Sequence, residues 1–543
     1  MAEFLALALA AGPPAAGSEF ARQDRSHAPT SGNTGALSAV PTYESLGLYL
    51  DAGPGTARVR YRPQGAGAWR AGLDLWDDNS RSGFLEVTSQ SNNGRHRGSL
   101  VHLTPNTLYE VQVLHGNQIY SGTFRTLDDR FPVARIVPIG NRNTPLTITE
   151  GGSPNGYVVY EAGSLELPMS ANRGVLVNAD YVMIRNVKIS GPALGIVIGD
   201  NRHDIVIERC EITNWGRFIM ESDRARYGEA SQHLGGSDEA ILIPPTAHRV
   251  TIQYNNIHTP RTDSNTWDEI IETQWKGVST KAKRCHPWGP RAIGWNGGAQ
   301  RIIRYNTLAG TRAHKLEDVI EGTSNDSDVY GNFLAGFADD AIEIDGTSRN
   351  VRVWNNRIHV IASDGEHNQP WRQPALYSVS PITVGPVYLW RNLATGEPGT
   401  RVIQAVKKQS RTDTPSPREV HQGRLYFFHN TSYSGQVMGS GFPIVNAYAY
   451  NNVQPDGFSP RRDPSSTDFK NNLVGESVLS QLDANFIVRP GTAGVDAGMP
   501  LPNFNDIYTG NAPDIGYQEA GGPALEAGHT ASPKTRPRGT AAR

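Results

Sequence analysis

An asparagine that returns at short intervals, each time where a strand-like run turns, restricts this chain to very few folds. It stands in Tyr254-Asn255-Asn256-Ile257, Tyr305-Asn306-Thr307-Leu308, Gly331-Asn332-Phe333-Leu334 and Asn355-Asn356-Arg357-Ile358. Looser copies are Arg391-Asn392-Leu393, His429-Asn430-Thr431 and Asn451-Asn452-Val453. Asn306, Asn332 and Asn356 follow one another at 26 and 24 residues, and Asn430 and Asn451 at 21; the gaps of 36 and 38 on either side of Asn392 read as repeats carrying inserted loops. Each repeat holds strand-sized apolar alternation and no helix-length stripe. A unit this short cannot bury both of its faces, so neighbours must stack into a solenoid. In such a stack each asparagine can hydrogen-bond the one above and the one below. Val187 and Cys210 occupy the asparagine position in the first two copies. Cys210 therefore reads as a buried turn residue and not as a nucleophile.

Length and charge narrow the remainder. The 543 residues allow three to four ordinary domains or one long array. Charged residues are 19% of the chain, with 57 Gly and 36 Pro, a turn-rich composition still apolar enough to fold. Lys plus Arg number 51 against 53 Asp plus Glu, a net charge of −2, so no nucleic-acid partner is expected. No apolar run reaches the ~18 residues of a membrane span, so no membrane insertion is expected. Two cysteines, Cys210 and Cys285, exclude a disulfide scaffold. Phe4 to Ala11 reads as a signal-peptide core of atypical form, with Glu3 where a basic residue belongs, and implies a secreted or periplasmic protein. The expected organisation is a signal peptide and linker over 1–38, a strand-rich module over 39–128, the array over 129–520 and a disordered tail over 521–543. A monomer is expected.

Leu103-Thr104-Pro105-Asn106-Thr107-Leu108-Tyr109, followed by Val111 and Val113, resembles the fibronectin type III domain, with Ser121–Thr126 as its last strand. The resemblance makes Tyr109 a core residue whose hydroxyl ties down a crossover. Val182–Ile189 and Val351–Ile358 resemble the coils of bacterial right-handed parallel β-helix proteins, and Pro513-Asp514-Ile515-Gly516-Tyr517-Gln518 resembles the segment that often closes them. The fold class expected is all-β: a right-handed parallel β-helix preceded by a small fibronectin III-like β-sandwich.

A second column carries the chemistry. Polar pairs precede the short apolar strand that opens several coils: Asp238-Glu239 before Ala240-Ile241, Pro290-Arg291 before Ala292-Ile293, Glu317-Asp318 before Val319-Ile320, and Asp339-Asp340 before Ala341-Ile342. Stacked coils are ~4.8 Å apart, so these acids should neighbour one another on one flank. If Ile320 and Ile342 point inward, Glu321, Glu343 and Asp345 point out, while Asp318 and Asp340 share the inward parity unless they belong to the turn. Small Ala292, Gly294 and Ala341 are expected to leave room above that face. Carboxylates this dense must share protons or bind a cation. An Asp before a strand is also an ordinary turn residue that repeats copy without purpose.

Asp339-Asp340-Ala341-Ile342, preceded one coil earlier by Glu317-Asp318-Val319-Ile320, resembles the polygalacturonase family of glycoside hydrolases. That resemblance implies Asp318, Asp339 and Asp340 as the acid/base group. The following coils, Tyr377–Ile382 and Val384–Val387, lack the family's Gly-His-Gly and Arg-Ile-Lys signatures. Directly stacked carboxyls would suit the ~5–5.5 Å of retaining glycosidases and diagonal pairs the ~6.5–9.5 Å of inverting ones. Residues 259–290, with Trp267, Trp275, Trp288 and several Lys, Arg and His, and then Trp295, offer aromatic faces beside cations, as a sugar or uronate groove needs. Arg291, His314, Lys315, Asp345, His367, Trp371 and Arg372 complete the candidate binding set.

Three functions remain open. One is a glycoside hydrolase using Asp318, Asp339, Asp340, Glu321 and Glu343, requiring no cofactor. Another is a polysaccharide lyase in which Glu321, Glu343 and Asp345 hold Ca²⁺ against a uronate while Lys315, Arg291 or His314 abstracts the proton. The third is a noncatalytic glycan-binding surface protein. The expected partner in each case is a poly- or oligosaccharide.

Overall fold

The computed structural model describes residues 37–78, 96–217, 233–234, 238–264, 270–271, 283–284, 286–287, 289–295, 297–362, 374–380, 384–402, 404–408, 423–438 and 443–531. The chain divides into two compact units, Met1–Asp129 and Arg130–Arg543.

The first unit is built from two four-stranded antiparallel sheets. Leu37–Pro41, Leu46–Leu50, His96–Leu100 and Trp76–Asp77 form one; Arg70–Ala71, Ala57–Pro63, Leu108–His115 and Gln118–Arg125 form the other. Alternate residues of both, among them Leu46, Leu48, Val59, Tyr61, Val111 and Val113, share one core. Tyr109 is buried, and its hydroxyl accepts a hydrogen bond from the Thr104 N–H at 2.9 Å, tying strand to crossover.

The second unit is a parallel β-helix. Ten strands stack in parallel in one sheet: Leu146–Ile148, Arg173–Val177, Leu194–Ile198, Glu239–Leu242, Arg291–Gly294, Ile320–Glu321, Asp340–Glu343, Ala375–Ser378, Gln404–Lys407 and Gln436–Met438. Two further parallel ladders, from Val133–Arg142 to Thr467–Lys470 and from Glu211–Thr213 to Leu473–Val474, close each coil around a single apolar core.

The asparagines stand at the turn between these last two ladders, and they bond as the repeat requires. Each backbone N–H donates to the Oδ1 of the next asparagine, through Asn255, Asn306, Asn332, Asn356, Asn392, Asn430, Asn452 and Asn472. Each Nδ2 donates to the same oxygen and to a carbonyl of the preceding coil; for Asn332 these are Asn356 Oδ1 and Ile303 O, both at 2.9 Å. The residue before each asparagine turns the chain with φ between 51° and 66°. Cys210 takes the same place one coil earlier, donating its N–H to Asn255 Oδ1 at 2.9 Å, with its thiol pushed up to about 12 by burial. The column uses Asn452 where the repeat spacing points to Asn451, and it continues one coil further to Asn472.

The C-terminal segment returns along the coils. Phe504 packs on Trp390 and Tyr388, Gly516 N–H donates to Asn451 O, and Tyr517 N–H donates to Thr431 Oγ1. Residues 521–531, expected to begin a disordered tail, also lie on the coils: Gly528 N–H donates to Gly331 O at 2.9 Å and His529 N–H to Thr307 Oγ1 at 3.2 Å.

Replacing Asn332 by Ala leaves the buried Asn306 N–H without its acceptor, at about 1–3 kcal/mol for such a group, and removes one bond from the Asn306 amide, which keeps Ile252 O and Arg304 O. Asn332→Ala should lower the unfolding free energy by about 2–4 kcal/mol in urea titration; a loss below about 1 kcal/mol would deny the ladder its structural role.

Candidate active site

The ten-stranded sheet places the acidic column on its outer face. Register runs Leu242, Gly294, Glu321 on one side and Glu343, Ser378, Lys407 on the other, joined by the pairing of Ile320 with Ile342. Asp318 precedes the strand Ile320–Glu321 and Asp340 is the first residue of its own strand, and both are buried. Val319 and Ile320 both enter the core, as do Ala341 and Ile342. Asp340 and Glu343, three residues apart, nevertheless bring carboxylate oxygens together. Ala292 and Ala341, expected outside, are core residues, and the space over Gly294 is filled by Glu239, whose Cγ lies 2.8 Å from where a Cβ would stand.

Asp318, Asp340 and Glu343 form the centre. One carboxylate oxygen from each lies within 4.8 Å of the other two. Asp340 N–H donates to Asp318 Oδ1 at 2.8 Å, Lys407 Nζ lies 2.9 Å from Asp340 Oδ2 and 3.7 Å from Asp339 Oδ1, and Asp340 Oδ1 is buried without a hydrogen-bond partner. Asp318 and Asp340 are buried, whereas Asp339, Glu343 and Lys407 are part-exposed, so the centre opens to solvent at these last three. Burial, and then the charges of Asp339, Glu343, Glu317 and Asp340, push the Asp318 carboxyl well above the usual range. Burial with Asp345, Glu321 and Asp340 does the same to Glu343. Asp340 is pushed up to about 7 by burial against the pull of Lys407. Burial would discharge Lys407, but Asp340, Asp339 and Asp345 hold its ammonium well above the ordinary lysine value.

Asp345 stands beside this group with its Oδ1 accepting from Ser378 Oγ at 3.1 Å and Ser380 N–H at 2.5 Å; burial lifts it to about 7. A second group surrounds Arg291, which lies 2.8 Å from Glu317, 3.2 Å from Glu321 and 3.6 Å from Glu239. Glu317 Oε2 also accepts the Gly289 N–H at 2.5 Å. Glu239 is pushed up to about 7 by burial despite Arg291.

Several sequence expectations change here. Of the three acids expected to hold calcium, only Glu343 sits in the close trio; Glu321 belongs to Arg291, and Asp345 is engaged by two serines. Arg291 is buried among three glutamates, which removes it as a substrate anchor or proton abstractor. Trp295 has no exposure and belongs to the β-helix core, not to a sugar platform. His314 Nδ1 lies 3.0 Å from Pro260 O, while Lys315 donates its N–H to Asp263 and its Nζ to Ile361 O. Trp288, His367, Trp371 and Arg372 lie outside the described residues. Lys407 is the member that sequence reasoning missed. Its signal was the run Ala405-Val406-Lys407, which repeats the pattern of Ala341-Ile342-Glu343 two coils on.

The acid trio also suits a hard cation such as Ca²⁺. It offers only oxygen ligands, and the orphaned Asp340 Oδ1 is the sort of atom that a cation or a shared proton satisfies.

No protein-family profile and no curated protein matches the chain. Among solved structures it is similar to an alginate lyase from a Paenibacillus species, at 12% identity over 64% of this chain and 94% of that one, with a TM-score of 0.33. It is also similar to a pectate lyase from a Bacillus species in complex with trigalacturonate (11% identity, 64% and 85% covered, TM-score 0.24). The catalytic unit of an α-1,3-glucanase from Streptomyces thermodiastaticus is a third (11% identity, 81% and 88% covered, TM-score 0.28). These are two lyases and a glucanase; at such scores the function of this chain rests on its own side chains.

Removing Arg291 leaves Glu239, Glu317 and Glu321 facing one another without a counter-charge. Glu239 already titrates at about 7, above its ordinary 4.5, so the fold binds a proton there and loses stability as pH rises between those values. Arg291→Met should enlarge that loss, costing about 3–5 kcal/mol at pH 8 and markedly less at pH 5. Thermal melts at the two pH values check this; an equal deficit at both would exclude the assignment.

Proposed function

We propose that the chain hydrolyses glycosidic bonds in a polysaccharide, using the carboxyls of the acid trio and Asp339. The observation that carries this reading is the approach of Asp318, Asp340 and Glu343 oxygens to within 4.8 Å on an outward face. Carboxyls so close cannot all be ionised, so the trio retains a proton near neutrality. Glu343, the part-exposed member, delivers that proton to the glycosidic oxygen as the C–O bond breaks, and the departing sugar leaves as an alcohol. Asp339 accepts a proton from the water whose oxygen attacks the anomeric carbon. Asp318 and Asp340 are positioning residues. They sit beneath Glu343, share its proton, and through Asp340 hold Lys407 over the centre.

The trio's fit to a cation supports a second reading, a lyase acting on a uronate glycan. Asp318, Asp340 and Glu343 would then hold Ca²⁺, which supplies charge neutralisation at the uronate carboxylate. A noncatalytic glycan-binding protein would show neither chemistry. A short segment before a strand with no active function accounts for one such acid, but not for a trio with a lysine above it.

Incubation with a polysaccharide panel separates these readings: new reducing ends without ultraviolet-absorbing unsaturated products are expected. Unsaturated products lost on EDTA treatment and restored by Ca²⁺ would establish the lyase instead. Glu343→Gln and Asp339→Asn should each lower kcat by roughly 10²–10⁴-fold while the melting temperature stays within a few degrees. Full turnover by either variant removes that residue from the mechanism.

A further inference from the structure

The charge balance on the outer face bears on which glycan the site can take, an inference that rests on the hydrolytic reading above. A polyuronate carries a carboxylate on each sugar, and recognition of one needs a cation free to meet it, by preference a guanidinium or ammonium with unspent hydrogen-bond donors. The acid trio, its neighbours Asp339 and Asp345, and the Arg291 group bring eight carboxylates to adjacent coils of one sheet. Against these, the described residues of the two groups place two cations, and the protein's own acids already hold both. Arg291 is buried with glutamate oxygens at 2.8, 3.2 and 3.6 Å. Lys407 has Asp340 at 2.9 Å and Asp339 at 3.7 Å. Three of the carboxylate oxygens, Asp340 Oδ1, Glu239 Oε2 and Glu321 Oε2, are buried without a hydrogen-bond partner, so among the described residues the deficit of this face is in donors and positive charge.

We infer that the sugar bound over Glu343 and Lys407 carries no carboxylate: the substrate is an uncharged or amino-bearing glycan, and polyuronates are excluded. A uronate placed there would meet like charge at close range, and the two cations could turn to it only by abandoning buried partners. Hydroxyl and ammonium groups, in contrast, donate to carboxylate oxygens.

The test uses the full chain and six polymers: xylan, a β-glucan, chitosan, polygalacturonate, alginate, and polygalacturonate whose carboxyls have been reduced to alcohols. Retention is read in native gels cast with each polymer and cleavage by reducing ends, with added Ca²⁺ and with EDTA. Retention and cleavage are expected with at least one of the four polymers lacking carboxylates, at more than ten times the rate on either polyuronate. The reduced polymer is the matched control, since it differs from polygalacturonate chiefly in charge. Retention by an uncharged or amino polymer without cleavage upholds the inference and removes the hydrolase reading. A polyuronate retained as well as the best uncharged polymer, or cut within tenfold of it in either buffer, overturns the inference and leaves glycan cleavage standing. Retention by none of the six overturns it as well.

Discussion

The amide bonds of the asparagine column govern the rest of the β-helix unit. Each side chain spends its oxygen on the coil before it and its nitrogen on carbonyls and the coil after it, so neither coil can slip without stranding buried polar groups. The column lies at a different corner from the acids, yet it sets their height. Once Asn306, Asn332 and Asn356 are stacked, the chain between them brings Ile320 opposite Ile342, and with it Asp318 beneath Asp340. The turn that permits this is costly. Tyr254, Tyr305, Arg391 and His429 adopt positive φ without being glycine, at about 1–2 kcal/mol each, and the ladder bonds offset that cost.

The outer face works against the same stability. Burial raises the carboxyls of Glu239, Asp318, Glu321, Asp340, Glu343 and Asp345, and Arg291 and Lys407 serve mainly to keep the cluster from driving the coils apart. Buried charge pairs seldom add net stability, and removing one partner is far worse than never having had either. An arrangement that costs stability and leaves Asp340 Oδ1 unsatisfied is expected where proton transfer matters, because the strain that raises a carboxyl pKa is what lets it act as an acid.

How much of this the sequence discloses depends on whether a feature is periodic. The asparagine spacing announces a stacked array because hydrogen bonding between coils demands the same residue at the same turn. For the same reason Cys210 is legible as a turn residue, whereas Tyr109 is legible as a pinned core residue only through the motif Leu103–Tyr109 around it. The acidic pairs are legible as neighbours for the reason that Glu317-Asp318 and Asp339-Asp340 precede the same apolar doublet. Strict alternation does not predict the trio, because Asp340 and Glu343 differ in parity yet bring their carboxylates together, while Ala341 joins the core cluster beside Ile342. Trp295 is illegible for a related reason: an indole suits a core and a sugar platform equally, and only the packing decides. Lys407 went unseen because its partners lie two coils away, with long insertions between them.

The returning C-terminal segment has a consequence for how such a molecule comes apart. A stack of coils joined only to nearest neighbours can fray from its last winding inward, one layer at a time. Here Gly528 and His529 are fastened to Gly331 and Thr307, with His529 and Thr307 222 positions apart in the chain, after Phe504 has crossed the rings of Trp390 and Tyr388. The final windings are laced to the middle ones, so the free end cannot unspool until the lace is drawn off, and a protease nicking the last coil would find its fragment still bound in place.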